Sequence, residues 1–554
     1  MNRAFTQTVF PSLKFICLFI TSIFLSQAFG QKVEKFTHQD SLRGSLTPER
    51  TWWNVMKYDI TVQPDFNSKT IKGKNTIYFD VIGQGDLMQI DLQEPMVIDS
   101  AVFEGKAIPY KRNGNIYLLN FKDKSLKGTK SPVTVYYSGK PREAVRPPWD
   151  GGWIWKKDDQ GRPWMSVACQ GLGASVWFPC KDHQSDEPDN GALLTMIIPD
   201  TLVAVANGKM IDSKSIGNGL TATTWGVTNP INSYNIIPYI GKYVHWGETF
   251  LGEKGDLSCD YWVLDYELEK AKIQFTQVPK MLKCFEYWFG PYPFYEDGYK
   301  LVQSPHLGME HQSAVAYGNK FQNGYLGTDL SNSGWGLKWD FIIIHESGHE
   351  WFGNNITTKD IADMWVHEGF TNYSEAIYTD CQYGVYAGNE YEIGLRKSIT
   401  NDKPIIGQYN VNNEGSGDMY YKGSSMIHII RQLMNDDENF RQLLRGLNST
   451  FWHQTVTTKQ IEDYIIQKAE MNLSKIFDQY LRTTDIPVLE YKIIDGKVSI
   501  RWTNCVEGFD MKVRLKDGQW IRPTMEWSIP DITFSAEEVL NVDPNFYVKV
   551  KKIK

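Results

Sequence analysis

Residues 338–375 have the sequence KWDFIIIHESGHEWFGNNITTKDIADMWVHEGFTNYSE. It contains His345 and His349 four residues apart, Glu346 beside them, and Glu368 after eighteen intervening residues. Residues four apart lie on one face of a helix, so the two imidazoles can face a single ion. Two imidazoles and one carboxylate leave a fourth tetrahedral position open, as in a catalytic zinc site and not a closed structural one. We therefore predict that the two histidines and Glu368 bind one zinc ion per chain, while Glu346 acts on a water molecule.

Helices are predicted on both sides of the eighteen residues that separate His349 from Glu368. The apolar run Phe341–Ile344 enters the first helix, and Gly353-Asn354-Asn355 ends it. The second is predicted from Glu368 onward, which places Glu375 two turns later on the same face, where it can hold a ligand imidazole. A solvated helix charge is the alternative for Glu375. The alternative to the metal site is a buried helix whose histidines only form hydrogen bonds in the core.

Length and charge restrict the class of protein. A chain of 554 residues is too long for one core, so two to four domains are expected. The net charge is -7 and there is no basic block, which argues against nucleic acid as a partner. No stretch after the N-terminal segment is apolar for long enough to predict a membrane span. The oligomeric state cannot be predicted from these features.

The N-terminal segment has the pattern of a secretory signal. Two basic residues accompany an apolar run at residues 15–25, and the small residues Ala28 and Gly30 suit cleavage before Gln31. The run is too short to cross a bilayer. We expect residues 1–30 to be a signal peptide and the mature protein to be exported, to the periplasm or the extracellular space.

Six cysteines follow the predicted signal peptide. Export permits disulfides, but the spacing is wide and irregular and contains no CxxC pair. The sequence therefore predicts neither a zinc ribbon nor a disulfide framework, and most of these residues are expected to be buried thiols. They are Cys169, Cys180, Cys259, Cys284, Cys381 and Cys505.

The hydrophobic pattern changes twice along the chain, which predicts a multidomain α+β protein. Residues 31–255 alternate in short runs broken by turn residues, which predicts an antiparallel β domain. Residues 256–486 are mainly helical in period, with a capping box at Thr457–Gln460. Residues 487–554 return to strands, with hairpin turns at Asp495-Gly496 and Asp517-Gly518, and predict a small β module.

Several motifs occur together in a fixed order. They are the zinc segment from His345 to Phe370, Phe289–Phe294 (FGPYPF), Gly308–Gln312 (GMEHQ), Tyr420–Gly423 (YYKG) and Gln170 ten residues before Cys180. Together they resemble the M1 family of zinc aminopeptidases, the gluzincins related to aminopeptidase N and to the leukotriene epoxide hydrolase. The resemblance extends from roughly Trp52 to Leu489.

The resemblance implies a saddle-like N-terminal β domain and a thermolysin-like catalytic domain. It also implies that Tyr420 stabilises the oxyanion, that Glu310 and Gln170 bind the substrate α-ammonium, and that the backbone at Gly308 and Met309 lies along the substrate. The family motif that contains the position of Glu310 is usually Gly-x-Met-Glu-Asn. Here Leu307 replaces the leading Gly, and His311 replaces the Asn.

From these observations we expect a zinc aminopeptidase acting on peptides with a free N-terminus. A zinc-activated water would be the nucleophile and Glu346 the general base. A zinc endopeptidase or an epoxide hydrolase on the same scaffold is one alternative. A non-catalytic peptide-binding protein is the other, and the intact candidate site residues argue against it.

Overall fold

The computed structural model describes residues 35–122, 131–495, 497–532 and 540–554. The predicted signal peptide, residues 1–30, lies outside the described residues, so export stays a prediction. From His38 onward the chain forms one compact unit. Within the described ranges, no helix combines the length and the apolar character that crossing a membrane requires.

The first part of the chain is built of strands, as the alternating pattern predicts. In the long strand that begins at Trp53, buried positions alternate with partly exposed ones along most of its length, which matches the two-residue period of a half-buried strand. Two short helices precede it. The elements are α1 (His38–Gly44), α2 (Pro48–Thr51), β1 (Trp53–Asp65), β2 (Thr70–Val81), β3 (Leu87–Asp91), β4 (Val97–Phe103), β5 (Lys106–Ala107), β6 (Tyr110–Asn113), β7 (Ile116–Asn120), β8 (Val133–Gly139), β9 (Gly152–Lys157), β10 (Pro163–Ala168), β11 (Ala192–Pro199), β12 (Val203–Val205), β13 (Lys209–Gly217), β14 (Leu220–Val227) and β15 (Tyr239–Gly241).

These strands form three sheets. The largest has eight strands in the order β13-β14-β11-β1-β2-β8-β4-β5, and the others are β12-β15-β10-β9 and β3-β7-β6. Pairing is antiparallel except between β1 and β11, where Tyr58 lies opposite Ala192 in a parallel register. The predicted N-terminal sheet domain is thus confirmed, with one parallel pair added.

The second part combines a sheet with the predicted helices. Its elements are β16 (Tyr243–Gly252), β17 (Gly255–Leu264), α3 (Leu268–Gln274), α4 (Val278–Phe289), β18 (Tyr299–Gln303), β19 (Gly308–Met309), β20 (Val315–Tyr317), α5 (Phe341–Gly348), β21 (Ile356–Thr358), α6 (Trp365–Tyr383), α7 (Val385–Leu395), α8 (Tyr421–Met434), α9 (Asp437–Thr450), β22 (Gln454–Val456), α10 (Thr458–Ala469) and α11 (Ser474–Arg482). The order β16-β17-β18-β20-β19 gives a five-stranded sheet that the helical period does not indicate.

Helix ends in this part depart from the sequence prediction at two places. Helix α5 ends at Gly348, so His349 lies just beyond it and not in its middle. Helix α6 begins at Trp365, three residues before Glu368. The capping box is confirmed, because the Thr457 side chain and the Gln460 side chain each accept from the other's backbone amide.

The last part is the predicted β module. Its strands are β23 (Val488–Ile494), β24 (Lys497–Thr503), β25 (Val513–Arg514), β26 (Trp520–Ile521) and β27 (Lys549–Lys552). They form the sheets β24-β23-β27 and β25-β26. The turn at Asp517-Gly518 joins β25 to β26 as predicted, whereas Gly496 of the other predicted turn lies outside the described residues.

Two hydrophobic cores position the site. One lies among the N-terminal strands and includes Trp153 and Trp177. The other extends from Leu257 through the helices to Phe546, so the helices and the β module share it. The exact domain boundaries, after residues 255 and 486, stay predictions.

The cysteine prediction needs one correction. Cys284 on α4 and Cys381 on α6 form a disulfide across 97 residues of sequence, with their Cα atoms 6.1 Å apart. The packing of α4 against α6 brings the two cysteines together. The spacing of cysteines in the sequence does not indicate this contact. Cys169, Cys180 and Cys259 are buried thiols as predicted, and Cys505 is partly buried.

Candidate active site

A buried aspartate fixes the start of the helix that carries the first histidine. The Asp340 side chain accepts from the amides of Ile342 and Ile343 at 3.1 and 3.3 Å. It also accepts from Tyr317 Oη at 2.7 Å. A capping carboxylate satisfies amides that have no partner within the helix. The cap therefore sets where α5 begins, and with it where His345 lies one turn later.

The outer nitrogen of each candidate ligand imidazole is already engaged. His345 Nδ1 lies 2.7 Å from Glu375 Oε1, and His349 Nδ1 lies 3.0 Å from the carbonyl oxygen of Phe352. Both rings are buried. With the Nδ1 atoms held in this way, both Nε2 atoms face inward, which is how metal-binding histidines are usually oriented. The predicted position of Glu375 behind His345 is confirmed.

The inward-facing nitrogens meet a carboxylate from α6. Glu368 Oε2 lies 3.3 Å from His349 Nε2 and 3.8 Å from His345 Nε2. This oxygen is buried and has no hydrogen-bond partner among the described residues. Glu346 is close to the same point, since one ligand atom of each of His345, Glu346 and His349 falls within 4.8 Å of the others. Two imidazoles and a buried carboxylate oxygen that faces them fit the donor set of a catalytic zinc.

Burial and neighbouring charges shift the pKa values of Glu368 and Glu346. Burial opposes ionisation of Glu368, but the neighbouring His349 outweighs it and lowers the pKa of this carboxyl to about 2. Burial raises the pKa of Glu346 to about 7. An acid or base is most effective when its pKa lies near the working pH, so Glu346 suits proton transfer, whereas Glu368 is ionised at neutral pH.

A further buried carboxylate, that of Glu310, lines the site. Glu310 is buried, and its Oε1 accepts from Gln170 Nε2 at 2.6 Å and from Tyr234 Oη at 2.9 Å. Gln170 Nε2 also lies 3.4 Å from Glu368 Oε1. The amide NH₂ of Gln170 thus faces both carboxylates, and its oxygen is the atom that can accept a hydrogen bond from a substrate α-ammonium. Tyr234 was not predicted, because nothing in its local sequence marks it.

The strand before Glu310 lies against the candidate base. Gly308 and Met309 form β19, which is at the edge of the five-stranded sheet. A Cβ atom on Gly308 would lie 2.6 Å from Glu346 Oε1 and 2.8 Å from the Ile342 side chain. Only glycine fits there without displacing Glu346, so this position requires the residue that the motif supplies.

Tyr420 lies beside the first imidazole. Its ring stacks over His345 with the ring centres 6.1 Å apart and the planes at 23°. Burial raises the pKa of Tyr420 well above its ordinary value, so the hydroxyl stays protonated and can donate a hydrogen bond. Tyr421 lines the same cavity and precedes the rest of α8.

Two histidines near the motifs have structural partners. His311 Nδ1 pairs with Tyr239 Oη, and His367 Nε2 accepts from the amide of Thr358 at 2.9 Å. His311 therefore turns away from the cavity, while Asn354 Nδ2 donates to the carbonyl oxygen of Glu310 at 2.8 Å. The contact of Asn354 with Glu310 was not predicted, although Asn354 belongs to the predicted helix stop.

All nine predicted site residues line one cavity of about 840 Å³. These residues are Gln170, Gly308, Met309, Glu310, His345, Glu346, His349, Glu368 and Tyr420. Asp150 and Glu414 add two further carboxylates, and none of the described residues lining the cavity is a lysine or arginine. The site is therefore strongly acidic, which favours a cationic group on whatever enters it.

Two family models match this chain. The Peptidase family M1 domain matches residues 273–480, and the Peptidase M1 N-terminal domain matches residues 55–235. The first covers the helices that carry the candidate metal ligands, and the second covers most of the N-terminal strands.

Named relatives are distant in sequence. Probable aminopeptidase 2 of Sulfurisphaera tokodaii is 21% identical over 507 residues, which cover 88% of this chain and 60% of the relative. Aminopeptidase N of Lactobacillus helveticus is 23% identical over 460 residues, covering 78% and 51%. The chain thus spans between half and two thirds of the length of these relatives.

Solved structures share the fold. The crystal structure of the M1 zinc metallopeptidase from Deinococcus radiodurans superposes with a TM-score of 0.66 at 20% identity. The superposition covers 80% of this chain and 96% of that protein. Another structure from that organism, of a mutant bound to a Tyr-Ser-Ala substrate, has the same TM-score at 19% identity, with 78% and 95% covered.

Proposed function

Because the chain belongs to peptidase family M1, we propose that it is a zinc aminopeptidase, removing residues one at a time from the N-terminus of peptides. Membership of this family implies a single catalytic zinc. The residues that would hold it are His345, His349 and Glu368. When bound, zinc polarises the scissile carbonyl and lowers the pKa of a water molecule.

The observation that carries the aminopeptidase proposal is the position of Glu310. This buried carboxylate faces the same cavity as the candidate base Glu346, and Gln170 and Tyr234 fix its orientation. A substrate ammonium placed on Glu310 and on the free oxygen of Gln170 is held by a charged pair and a hydrogen bond. The first peptide bond then lies near Glu346, and internal bonds do not.

The geometry supports three further roles. An extended substrate can pair its backbone with the open edge of β19 at Gly308 and Met309. Glu346, with its pKa near 7, takes a proton from water and returns it to the leaving nitrogen. The Tyr420 hydroxyl donates to the oxygen on which negative charge develops.

The test compares one peptide with a free and an acetylated N-terminus. Acetylation removes the charge that pairs with Glu310, and losing one partner of a desolvated pair costs about 2–5 kcal/mol, or roughly 30-fold to several thousand-fold in kcat/KM. We expect the wild type to show this preference and Glu310→Ala to lose activity on the free peptide while keeping its zinc. If the wild type cuts both forms equally and at internal bonds, the protein is an endopeptidase.

We propose in addition that the protein is exported through residues 1–30. The Cys284–Cys381 disulfide supports this, because disulfides persist mainly in oxidising compartments. N-terminal sequencing of the mature protein from culture fractions tests it. The mature chain is expected to begin at Gln31, and a protein that keeps residues 1–30 would argue against export.

A further inference from the structure

A second cavity of about 680 Å³ opens beside the active-site cavity. Trp149 and Leu307 line both, so the two cavities meet at these side chains. We call the second cavity the distal groove. The lining residues used below are Lys156, Tyr266, Lys270, Lys320 and Phe321.

The direction of a bound peptide leads into the distal groove, given the proposed function. With the substrate ammonium on Glu310 and the scissile bond beside Glu346, the first residue spans the strand from Glu310 to Gly308. The next residues continue past Leu307, the residue at which the distal groove begins. The rest of the peptide therefore enters this groove, where Tyr266 and Phe321 offer aromatic surface to its side chains.

The two cavities differ in charge. Five carboxylates and no lysine or arginine line the described wall of the active-site cavity, whereas three lysines and two acidic residues, Asp159 and Glu267, line the distal groove. Lys270 is paired with Glu267 at 2.8 Å. Lys156 and Lys320 have no ion-pair partner among the described residues, and both are exposed to solvent. A peptide with an ammonium at one end and a carboxylate at the other matches this distribution.

The position of Lys156 indicates where the C-terminus of a bound peptide would lie. Its Nζ donates to the carbonyl oxygen of Pro305 at 3.2 Å. Pro305 lies two residues before Leu307, where the distal groove meets the active-site cavity. A short peptide that starts at Glu310 and continues past Leu307 therefore approaches this ammonium.

We propose that the distal groove binds the C-terminal carboxylate of short peptides, with Lys156 as its main partner and Lys320 as a second cation. The substrates that fit both ends are short peptides with both termini free. This inference names the substrate class of the aminopeptidase proposed above and rests on that proposal.

The experiment measures kcat/KM for tetra-alanine with a free N-terminus, once with a C-terminal carboxylate and once with a C-terminal amide. An exposed ion pair contributes little, so the wild type is expected to prefer the carboxylate by roughly two- to fivefold at low ionic strength. High salt should reduce the ratio through screening. Lys156→Gln is expected to bring the ratio close to one.

Lys157→Gln is the matched control. Lys157 is the next residue on β9, is also exposed, and lines neither cavity, so its variant should keep the wild-type ratio. Equal loss of the preference in both variants would overturn the assignment to the groove. A wild-type ratio of one would overturn the inference while aminoacyl fluorogenic substrates are still cleaved. If those substrates are not cleaved either, the proposed function fails and the inference fails with it.

Discussion

Glu346 and His349 lie within one turn of each other but have different tasks in the proposed site. A glutamine at 346 keeps the shape of the side chain but cannot accept a proton, whereas an alanine at 349 removes a ligand. We expect Glu346→Gln to keep about one zinc per chain and lose turnover, and His349→Ala to lose zinc as well. Metal analysis beside a turnover assay measures both. Zinc loss in Glu346→Gln would make Glu346 a ligand, which its closeness to both imidazoles permits.

Tyr420 is expected to act only while the carbonyl oxygen gains charge. Its hydroxyl stays protonated, because burial raises its pKa. Tyr420→Phe should therefore lower kcat by roughly 10²–10³ and leave KM nearly unchanged. Tyr421→Phe is the matched control, since that residue lines the same cavity. Steady-state kinetics of both variants decide the matter, and a normal kcat in Tyr420→Phe would assign the donor role elsewhere.

At the scale of single residues, the sequence predicted positions that depend on local spacing and missed those that depend on tertiary contacts. Helical period accounts for the pairing of His345 with His349 and for the position of Glu375, because one turn or two turns put side chains on the same face. Tyr234 and Asn354 reach Glu310 across 76 and 44 residues of sequence, so no local pattern marks them. The family resemblance supplied Gln170 and Tyr420, which composition alone does not distinguish from ordinary residues.

Among the elements, helix α5 begins at a buried capping carboxylate. The buried Asp340 carboxylate accepts from two backbone amides and from Tyr317, and also from Gln274 at 2.7 Å. Asp340→Ala would leave these donors without a partner, so we expect the free energy of unfolding to fall by about 1–3 kcal/mol. Zinc affinity should fall too, because the first turn of α5 positions His345.

The control for this prediction is another helix cap. Asp436 caps α9 by accepting from the amide of Asn439 at 3.0 Å, is exposed, and lies on a helix without a candidate ligand. Asp436→Ala should cost about 1 kcal/mol and leave zinc affinity unchanged. Urea unfolding and competitive zinc titration measure the two quantities. Equal zinc affinity in both variants would separate the Asp340 cap from the metal site.

The elements that the sequence did not reveal are short or depend on distant partners. Strands β19 and β20 have two and three residues and are buried, so they show no alternation of apolar and polar positions. The end of α5 was placed too late, because the turn after Gly348 keeps helical backbone angles at His349 without continuing the helix. The Cys284–Cys381 disulfide likewise arises from the packing of two helices.

For the whole molecule, the active-site cavity lies where two cores meet. Met309 belongs to the N-terminal core, and Phe341 and Tyr420, which line the opposite wall, pack in or against the helical core. The change from strand to helical period predicts that a β domain is followed by a helical domain. It does not predict that a cavity lies between their cores. Which loops face the cavity depends on how the two cores pack, and for that reason the preferred N-terminal residue could not be predicted.

Zinc removal tests the site as part of the whole molecule. The candidate ligands come from α5, from the turn after it and from α6, so a bound ion would join two helices of the same core. A ligand that binds only the folded state stabilises it by about 2.7 kcal/mol at a hundredfold excess over its Kd. We therefore expect chelation to abolish peptide hydrolysis and to lower the midpoint of thermal unfolding, and added zinc to restore both. Full activity in protein that metal analysis shows to be zinc-free would contradict the proposed chemistry, whereas lost activity with an unchanged midpoint would contradict only the structural role of the ion.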